Sequence, residues 1–331
     1  MKKTILLLTT ILFTSLFISC GAKPLKDDCG CFIDYDQAIE YSSKKNKALL
    51  VFFTSEGDDD KNNQLVNSII KAPSFAGEIA SKYVVLHVDF SQDIFQKTLA
   101  PDNATQKEQD LANVYTNVLQ NNYQLAVLFN ISQMPGIFLC TPQGYVVCRL
   151  DADKEISSYD DLKNQLLAKK PDLNKFKSLV SETKKGSAIK KVEAVDNLYN
   201  ATDSDYRTFM LPLLNYALEL DPDNNSGITG KLIFARAEIE ALFAYSQGDV
   251  ENAVTKYLIA ADNKYVKAEE KQECLFKAAY LVAYSESDDY EGILSYLQTA
   301  YDIAPESSKA PAIKEAIEYF EARVKTASEN Q

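Results

Sequence analysis

The first half of the chain contains two kinds of hydrophobic pattern, one typical of buried strands and one typical of amphipathic helices. Short apolar runs predict strands at 48–53, 83–90, 136–140 and 145–150. Apolar residues at helical spacing predict helices at 35–45, 58–71, 105–129 and 159–169. From residue 48 the order is β-α-β-α-β-β-α. Parallel strands joined by helices and followed by an antiparallel hairpin predict a mixed sheet flanked by helices.

Strand patterns disappear after residue 170, and helical spacing continues to the end of the chain. The segment 217–224 (ALELDPDN) recurs as AYDIAPES at 300–307, and 247–257 recurs at 287–297. The offsets are 83 and 40 residues, and because the first is about twice the second they give an interval of about 40 residues, which is in the range of helical-repeat arrays. The second half is therefore predicted to be all-α, with paired helices stacked on one another.

The ordered set of segments in the first half resembles exported bacterial thioredoxin-like domains. It consists of KKNKALLVFF at 44–53, YVVLHVDF at 83–90 and FNISQMPGIFL at 129–139, and the resemblance covers about 135 residues. It implies a thioredoxin-like α/β fold with a cis peptide bond between Met134 and Pro135. It also implies that the backbone before this proline can pair with an extended peptide, as an added strand would.

The chain departs from catalytic thioredoxins where those proteins carry Cys-x-x-Cys, because residues 55–63 read SEGDDDKNN. A thioredoxin-type dithiol is therefore not expected here. Gly57 and Asp58 lie in this segment, and together with Met134 and Pro135 they are our candidate peptide-binding residues. The carboxylates could form a weak cation site, but favourable charge at a helix N-terminus is the preferred interpretation.

The second half resembles tetratricopeptide repeats, since Gly248, Ala253, Tyr257 and Ala260 match the small and aromatic positions of that family. The interval of about 40 residues exceeds the family's usual 34. The resemblance implies a stacked, curved array that binds peptides or proteins. The alternative is that these helices only pack on the first domain.

The first residues are typical of an export signal, with Lys2 and Lys3 before a short apolar stretch. Leu16–Gly21 (LFISCG) resembles a bacterial lipobox, which implies cleavage after residue 19 and acylation of Cys20. Two or more acyl chains anchor a protein stably to a membrane. The expected location is the cell envelope, on the periplasmic side. The alternative is an ordinary cleaved signal with a chance cysteine.

Charge and composition narrow the possible partners. With 35 basic and 47 acidic residues and a net charge of −12, the chain is not expected to bind nucleic acid. One histidine and no paired cysteine spacing of the metal-binding type predict no metal, and no cofactor or small-molecule substrate is evident.

Cys140, Cys148 and Cys274 lie in apolar surroundings and are expected to be core thiols. Cys29 and Cys31 precede the first domain and are expected to be exposed, where they could act as a redox pair. His87 lies in a predicted strand without a neighbouring nucleophile and is expected to be structural.

These patterns divide the chain into six parts: a signal peptide (1–19), a tether (20–31), a thioredoxin-like domain (32–170), a linker with a connecting helix (171–200), a helical-repeat domain (201–325) and a disordered tail (326–331). The expected function is non-catalytic binding of a peptide or protein partner by an anchored envelope lipoprotein. The alternatives are a thiol-disulfide oxidoreductase using Cys29 and Cys31, and a purely structural envelope protein.

Overall fold

The computed structural model describes residues 24–57, 59–151, 154–285 and 287–329. The predicted signal peptide, Cys20 and Asp58 lie outside these residues. The chain forms two compact units. Unit 1 comprises the described residues up to Ser178 together with Ala201–Pro212, and unit 2 comprises Leu179–Asn200 and the residues from Leu213 onward.

Unit 1 contains a mixed sheet of four strands. They are β1 (Leu49–Thr54), β2 (Val84–Asp89), β3 (Gly136–Cys140) and β4 (Val146–Arg149). The spatial order is β2-β1-β3-β4, with β1 parallel to β2 and antiparallel to β3, and β3 antiparallel to β4. All four predicted strands are present, and the arrangement is compatible with the expected thioredoxin-like topology.

The helices beside this sheet follow the predicted pattern with additions. They are α1 (Tyr35–Lys45), α2 (Asp60–Leu65), α3 (Ala80–Lys82), α4 (Gln92–Lys97), α5 (Gln106–Leu128), α6 (Tyr159–Ala168) and α7 (Lys170–Glu182). Helix α2 continues as a π-helical turn over Val66–Ile70, and a second π-helical turn covers Phe75–Ile79. Thr105 and Glu108 form a capping box that fixes the start of α5. The sequence pattern did not predict α3 or α4, which are too short to show a clear period.

Strand β1 lies at the centre of the sheet, and every residue from Leu49 to Thr54 is buried. This explains its continuous apolar sequence, since both faces of the strand are covered. On one side Phe53, Phe129 and Phe138 pack together, and the segment Ala201–Pro212 adds Tyr206 and Phe209 to them. The predicted boundary at residue 200 therefore differs from the observed units. These two aromatic side chains hold the segment on unit 1.

The described residues of unit 2 form helices joined by turns and short loops, without a strand. Its helices are α8 (Ala188–Ala201), α9 (Leu211–Leu220), α10 (Thr229–Ser246), α11 (Val250–Asp262), α12 (Ala268–Tyr284), α13 (Tyr290–Ile303) and α14 (Ala310–Glu329). From α10 to α14 each helix packs on the next. Asp249 and Asp289 cap α11 and α13 at equivalent places, each accepting a hydrogen bond from the backbone N–H three residues later. The recurring sequence therefore produces recurring helix starts.

The predicted end of the folded chain at residue 325 is too early, because α14 continues to Glu329. The segment contains Ala327 and Glu329, which favour helix.

Within the described part of the chain, no helix combines the length and the apolar character needed to cross a bilayer.

Candidate functional site

The segment after β1 is where the sequence predicts the altered thioredoxin position. Ser55 is buried, and its N–H donates to Asn62 Oδ1 at 2.9 Å. The Gly57 N–H donates to Asn63 Oδ1 at 2.8 Å, with Gly57 at φ +101°. Asp59 caps α2, and the hydrogen bond from the Asn62 backbone N–H lowers the pKa of the Asp59 carboxyl. Side-chain amides and a carboxylate therefore hold the backbone of the segment that the sequence resemblance aligns with the dithiol of catalytic thioredoxins.

Two acidic residues of this segment, Glu56 and Asp59, have partners in the protein. Asp59 accepts hydrogen bonds from Asn62, and Glu56 forms an ion pair with Lys71 at 2.8 Å. This agrees with the preferred interpretation of charge at a helix N-terminus.

Met134 and Pro135 lie in the loop that enters β3, and the peptide bond between them is cis, as the resemblance implied. Within the described residues, neither the N–H nor the C=O of Met134 makes a hydrogen bond. A half-buried backbone group without a protein partner is available to a ligand, because such groups are normally paired.

A cavity of about 480 Å³ adjoins Met134, and we call it the Met134 groove. It is lined by Ser55, Asp59, Asn62, Phe90, Tyr123, Ala126 and Met134. Phe90 and Tyr123 form an aromatic pair with ring centroids 5.2 Å apart, and Tyr123 is 61% exposed. The groove thus places an exposed aromatic surface and a polar rim next to the available backbone of Met134.

A second depression, of about 240 Å³, lies on the Pro135 side, and its charged groups are already paired. Arg149 makes a bidentate ion pair with Asp151, with two contacts of 3.0 Å, and also donates to the Pro135 carbonyl at 3.2 Å. The Asp151 carboxylate accepts from the Ile137 N–H at 3.0 Å. Because these polar groups are already bonded to one another, they hold the loop in place and do not form a binding site for a ligand. The Met134 groove is therefore the better candidate for a peptide-binding site.

The expectation that Cys29 and Cys31 lie exposed on a tether is wrong. Cys31 is 2% exposed and Cys29 is half-buried against the core of unit 1. Burial raises the pKa of the Cys31 thiol, and burial together with the Asp27 charge raises that of Cys29. Because the thiolate is the reactive form, neither environment favours thiol exchange.

Asp27 is the reason that this segment is folded. Its Oδ1 accepts the N–H groups of Cys29 at 2.9 Å and Cys31 at 2.8 Å, and its Oδ2 lies 2.9 Å from His87 Nδ1. Phe32 then bridges to Leu86 alongside β2. The predicted tether over 20–31 is therefore attached to the sheet in its described part.

His87 links Asp27 to Thr54, whose Oγ1 lies 2.8 Å from His87 Nε2. An acid, an imidazole and a hydroxyl in line resemble a catalytic triad in composition. Thr54, however, is completely buried, so no substrate can reach its hydroxyl. The arrangement satisfies buried polar groups and joins the N-terminal segment to the sheet, which agrees with a structural His87.

Unit 2 contains a cavity of about 760 Å³ that the sequence did not reveal. Two groups of aromatic side chains line it: Phe276, Tyr280 and Tyr284 from α12, and Tyr290, Tyr319 and Phe320 from α13 and α14. Tyr280, Tyr284 and Tyr319 are more than half exposed. In the sequence these residues look like ordinary helix positions, and only their exposure distinguishes them from core residues.

Two of the comparisons with known proteins concern the sequence. A family model described as an uncharacterised protein C-terminal domain matches residues 228–327, which correspond to α10–α14. A protein of Treponema pallidum (strain Nichols), described as uncharacterized, is 23% identical over 286 residues, covering 84% of this chain and 85% of that protein.

Among solved structures, one described as a DsbH oxidoreductase aligns with 46% of this chain and 87% of its own, at 15% identity and a TM-score of 0.30. That score is too low to carry an argument about activity. The comparisons thus indicate that α10–α14 recurs in other proteins.

Proposed function

We propose that this protein is a non-catalytic envelope lipoprotein, with a thioredoxin-like unit 1 and a tetratricopeptide-like unit 2, that binds an extended segment of a protein partner. The single observation that carries the proposal is the Met134 backbone, which has no hydrogen-bond partner in the described protein beside an open aromatic groove. Binding by strand addition uses such backbone groups for affinity and adjacent pockets for selectivity.

The chemistry of the Met134 groove defines the segment that fits it. Phe90, Tyr123 and Ala126 provide an apolar surface for one large side chain. The rim residues Asp59 and Asn62 are occupied in capping α2. We therefore propose an extended peptide that pairs its backbone with Met134 and places an aliphatic or aromatic side chain against Tyr123.

A binding role is better supported than a redox role because neither the segment 55–63 nor Cys31 provides a thiol that ionises readily. Residues 55–63 contain no cysteine, and Cys31 is buried with a raised pKa. The helices of unit 2 supply a second surface for the partner, and the lipid on Cys20 holds both units at the membrane.

The test is a selection of linear peptides by display against the full chain in detergent, followed by binding measurements with N-methylated versions of the selected peptides. One N-methyl group at the amide that pairs with Met134 should weaken binding at least about tenfold, since it removes a backbone hydrogen bond and introduces a clash. N-methylation at the next residue should have little effect because successive residues of a strand face opposite directions.

A matched pair of variants locates the site. Tyr123→Ser should weaken peptide binding about tenfold, because a packed aromatic side chain contributes on the order of 1 kcal/mol or more. Leu111→Ser changes another exposed side chain of α5, about 18 Å away along the helix, and should leave binding unchanged. Peptides that bind equally well to both variants, or that tolerate every N-methyl group, would contradict the proposal.

A further inference from the structure

The aromatic cavity of unit 2 differs from the Met134 groove in charge and in lining. Its two aromatic groups come from different helices, one from α12 and the other from α13 and α14. The Tyr280 and Tyr284 rings are tilted against each other with centroids 4.5 Å apart and hydroxyl groups 2.8 Å apart, and Tyr319 packs edge-on against Phe320 at 5.0 Å. Within each aromatic group, the rings therefore pack against one another.

Ring faces of this kind attract cations, because the face of an aromatic ring carries partial negative charge. The protein already contains one example at this cavity. The Arg323 guanidinium lies 5.2 Å from the centroid of the Tyr319 ring, and it donates two hydrogen bonds to the Tyr319 hydroxyl, at 2.7 and 3.2 Å. Its charge is thus partly engaged within the protein.

The other charged residue in the lining is Asp288, and within the described residues its carboxylate forms no ion pair. Asp289 and Glu291 follow it in sequence, and the chain as a whole carries a net charge of −12. An exposed carboxylate without a cation, next to electron-rich ring faces, is complementary to a positively charged ligand.

We propose that this cavity binds a lysine or arginine side chain of the partner protein, with its aliphatic stem between the two aromatic groups and its charge near Asp288. The cavity volume of about 760 Å³ leaves room for apolar side chains beside the basic one. The inference deepens the partner-binding role proposed for unit 2, and it is independent of the Met134 groove.

The experiment uses the full chain in detergent with ¹³C-labelled tyrosine rings, titrated with acetyl-Leu-Arg-Leu-amide and followed by NMR. The control peptide contains citrulline in place of arginine, which keeps the shape and removes the charge. The arginine peptide should shift the resonances of Tyr280, Tyr284 and Tyr319, and the citrulline peptide should bind at least about threefold more weakly. Equal binding of the two peptides overturns the proposal.

Variants separate a cationic ligand from an anionic one. Tyr284→Leu and Asp288→Asn should each raise the Kd about 2- to 5-fold, and Arg323→Leu should leave it unchanged or lower it by removing a like charge. If Arg323→Leu weakens binding, the cavity takes an anionic group and the proposal is wrong.

Two further variants serve as controls. Asp302→Asn removes an exposed carboxylate of α13 that does not line the cavity, and Tyr123→Leu alters only the Met134 groove. Neither should change the Kd of the arginine peptide. A loss with Tyr123→Leu equal to that with Tyr284→Leu would assign the peptide to the groove of unit 1 and overturn the assignment to unit 2.

Discussion

At the scale of single residues, the Asp27 carboxylate organises the N-terminal segment. The sequence around it is small and polar, which favours a flexible tether. One carboxylate reverses that expectation by accepting two backbone N–H groups and contacting His87. Its environment makes Cys31 a buried thiol instead of an exposed one.

Replacing Asp27 tests this role. Asp27→Ala leaves the N–H groups of Cys29 and Cys31 and one nitrogen of His87 without their partner, so we expect a loss of about 2 kcal/mol in the free energy of unfolding of unit 1. Urea unfolding measures the change. Site-resolved alkylation should also find Cys31 reacting faster.

The matched control is Asp28→Ala, since Asp28 is exposed and adjacent to Asp27. Its effect should stay below about 0.5 kcal/mol. Equal stability of the two variants would show that the Asp27 contacts do not hold the segment.

Because of Asp221, in the turn between α9 and α10, we expect the free energy of unfolding of unit 2 to depend on pH. Its carboxylate is buried, which raises its pKa, but hydrogen bonds from Ser226, Asn225 and Thr229 outweigh burial and lower it overall. A lowered pKa in the folded state stabilises the protein above the unfolded pKa of about 3.9, and the contribution disappears as the pH falls through the folded value.

Asp221→Asn should therefore reduce the free energy of unfolding of unit 2 by about 2 kcal/mol at pH 7. The difference from the unchanged protein should shrink steadily below about pH 4. Urea unfolding at several pH values measures it. The neighbouring, exposed Asp223→Asn serves as the control and should show little change at any pH. A difference that persists undiminished at pH 2 would contradict this origin.

At the scale of elements, α10 begins against the turn that follows α11. A Cβ atom on Gly230 would lie 1.9 Å from the Tyr265 carbonyl oxygen and 2.9 Å from the Val266 nitrogen, both backbone atoms. Glycine inside a helix is otherwise unfavourable. Glycine at position 230 therefore lowers helix propensity but lets α10 approach the turn after α11 closely. Both elements lie within the residues that the family model matches.

Gly230→Ala should destabilise unit 2 by at least about 2 kcal/mol, because backbone must move to admit the methyl group. Thermal unfolding followed by circular dichroism measures the loss. Gly77→Ala is the control, since Gly77 is exposed, lies in a helical turn and has nothing within 4 Å of its added Cβ. A helix-propensity gain makes that change neutral or slightly stabilising. Similar effects of both changes would contradict the packing explanation.

At the scale of the whole molecule, the division into units does not follow a single cut in the sequence. Ala201–Pro212 belongs to unit 1, although helices of unit 2 precede and follow it. Its Tyr206 and Phe209 have the aromatic character of core residues, but the sequence does not say which core they join.

Membrane anchoring through Cys20 is a predicted property of the whole chain. In a bacterial host the full chain should incorporate labelled palmitate and sediment almost entirely with membranes, because each buried CH₂ of an acyl chain contributes about 0.8 kcal/mol. Cys20→Ser should abolish the label and release most of the chain. Cys29→Ser leaves the lipobox intact and should behave like the unchanged protein. Label retained by Cys20→Ser would contradict lipidation at this residue.

The sequence alone determined the elements with strong periods. The four strands and the long helix α5 were predicted close to their observed bounds, and the second half was predicted to be helical, because burial on one or both faces imposes a hydrophobic pattern on each segment. The missing cysteines at 55–63 were also evident from the sequence. The resemblance added the cis bond before Pro135, which the structure confirms.

Only the tertiary structure decided which distant residues meet. The contact of Asp27 with His87, the contact of Phe209 with Phe129 and the two aromatic groups of the unit 2 cavity all join residues far apart in the chain. The hydrophobic period of a segment indicates that one of its faces is buried, but it does not indicate which other segment covers that face. Burial of Cys31 and exposure of Tyr284 depend on that partner, so neither could be predicted from the sequence around it.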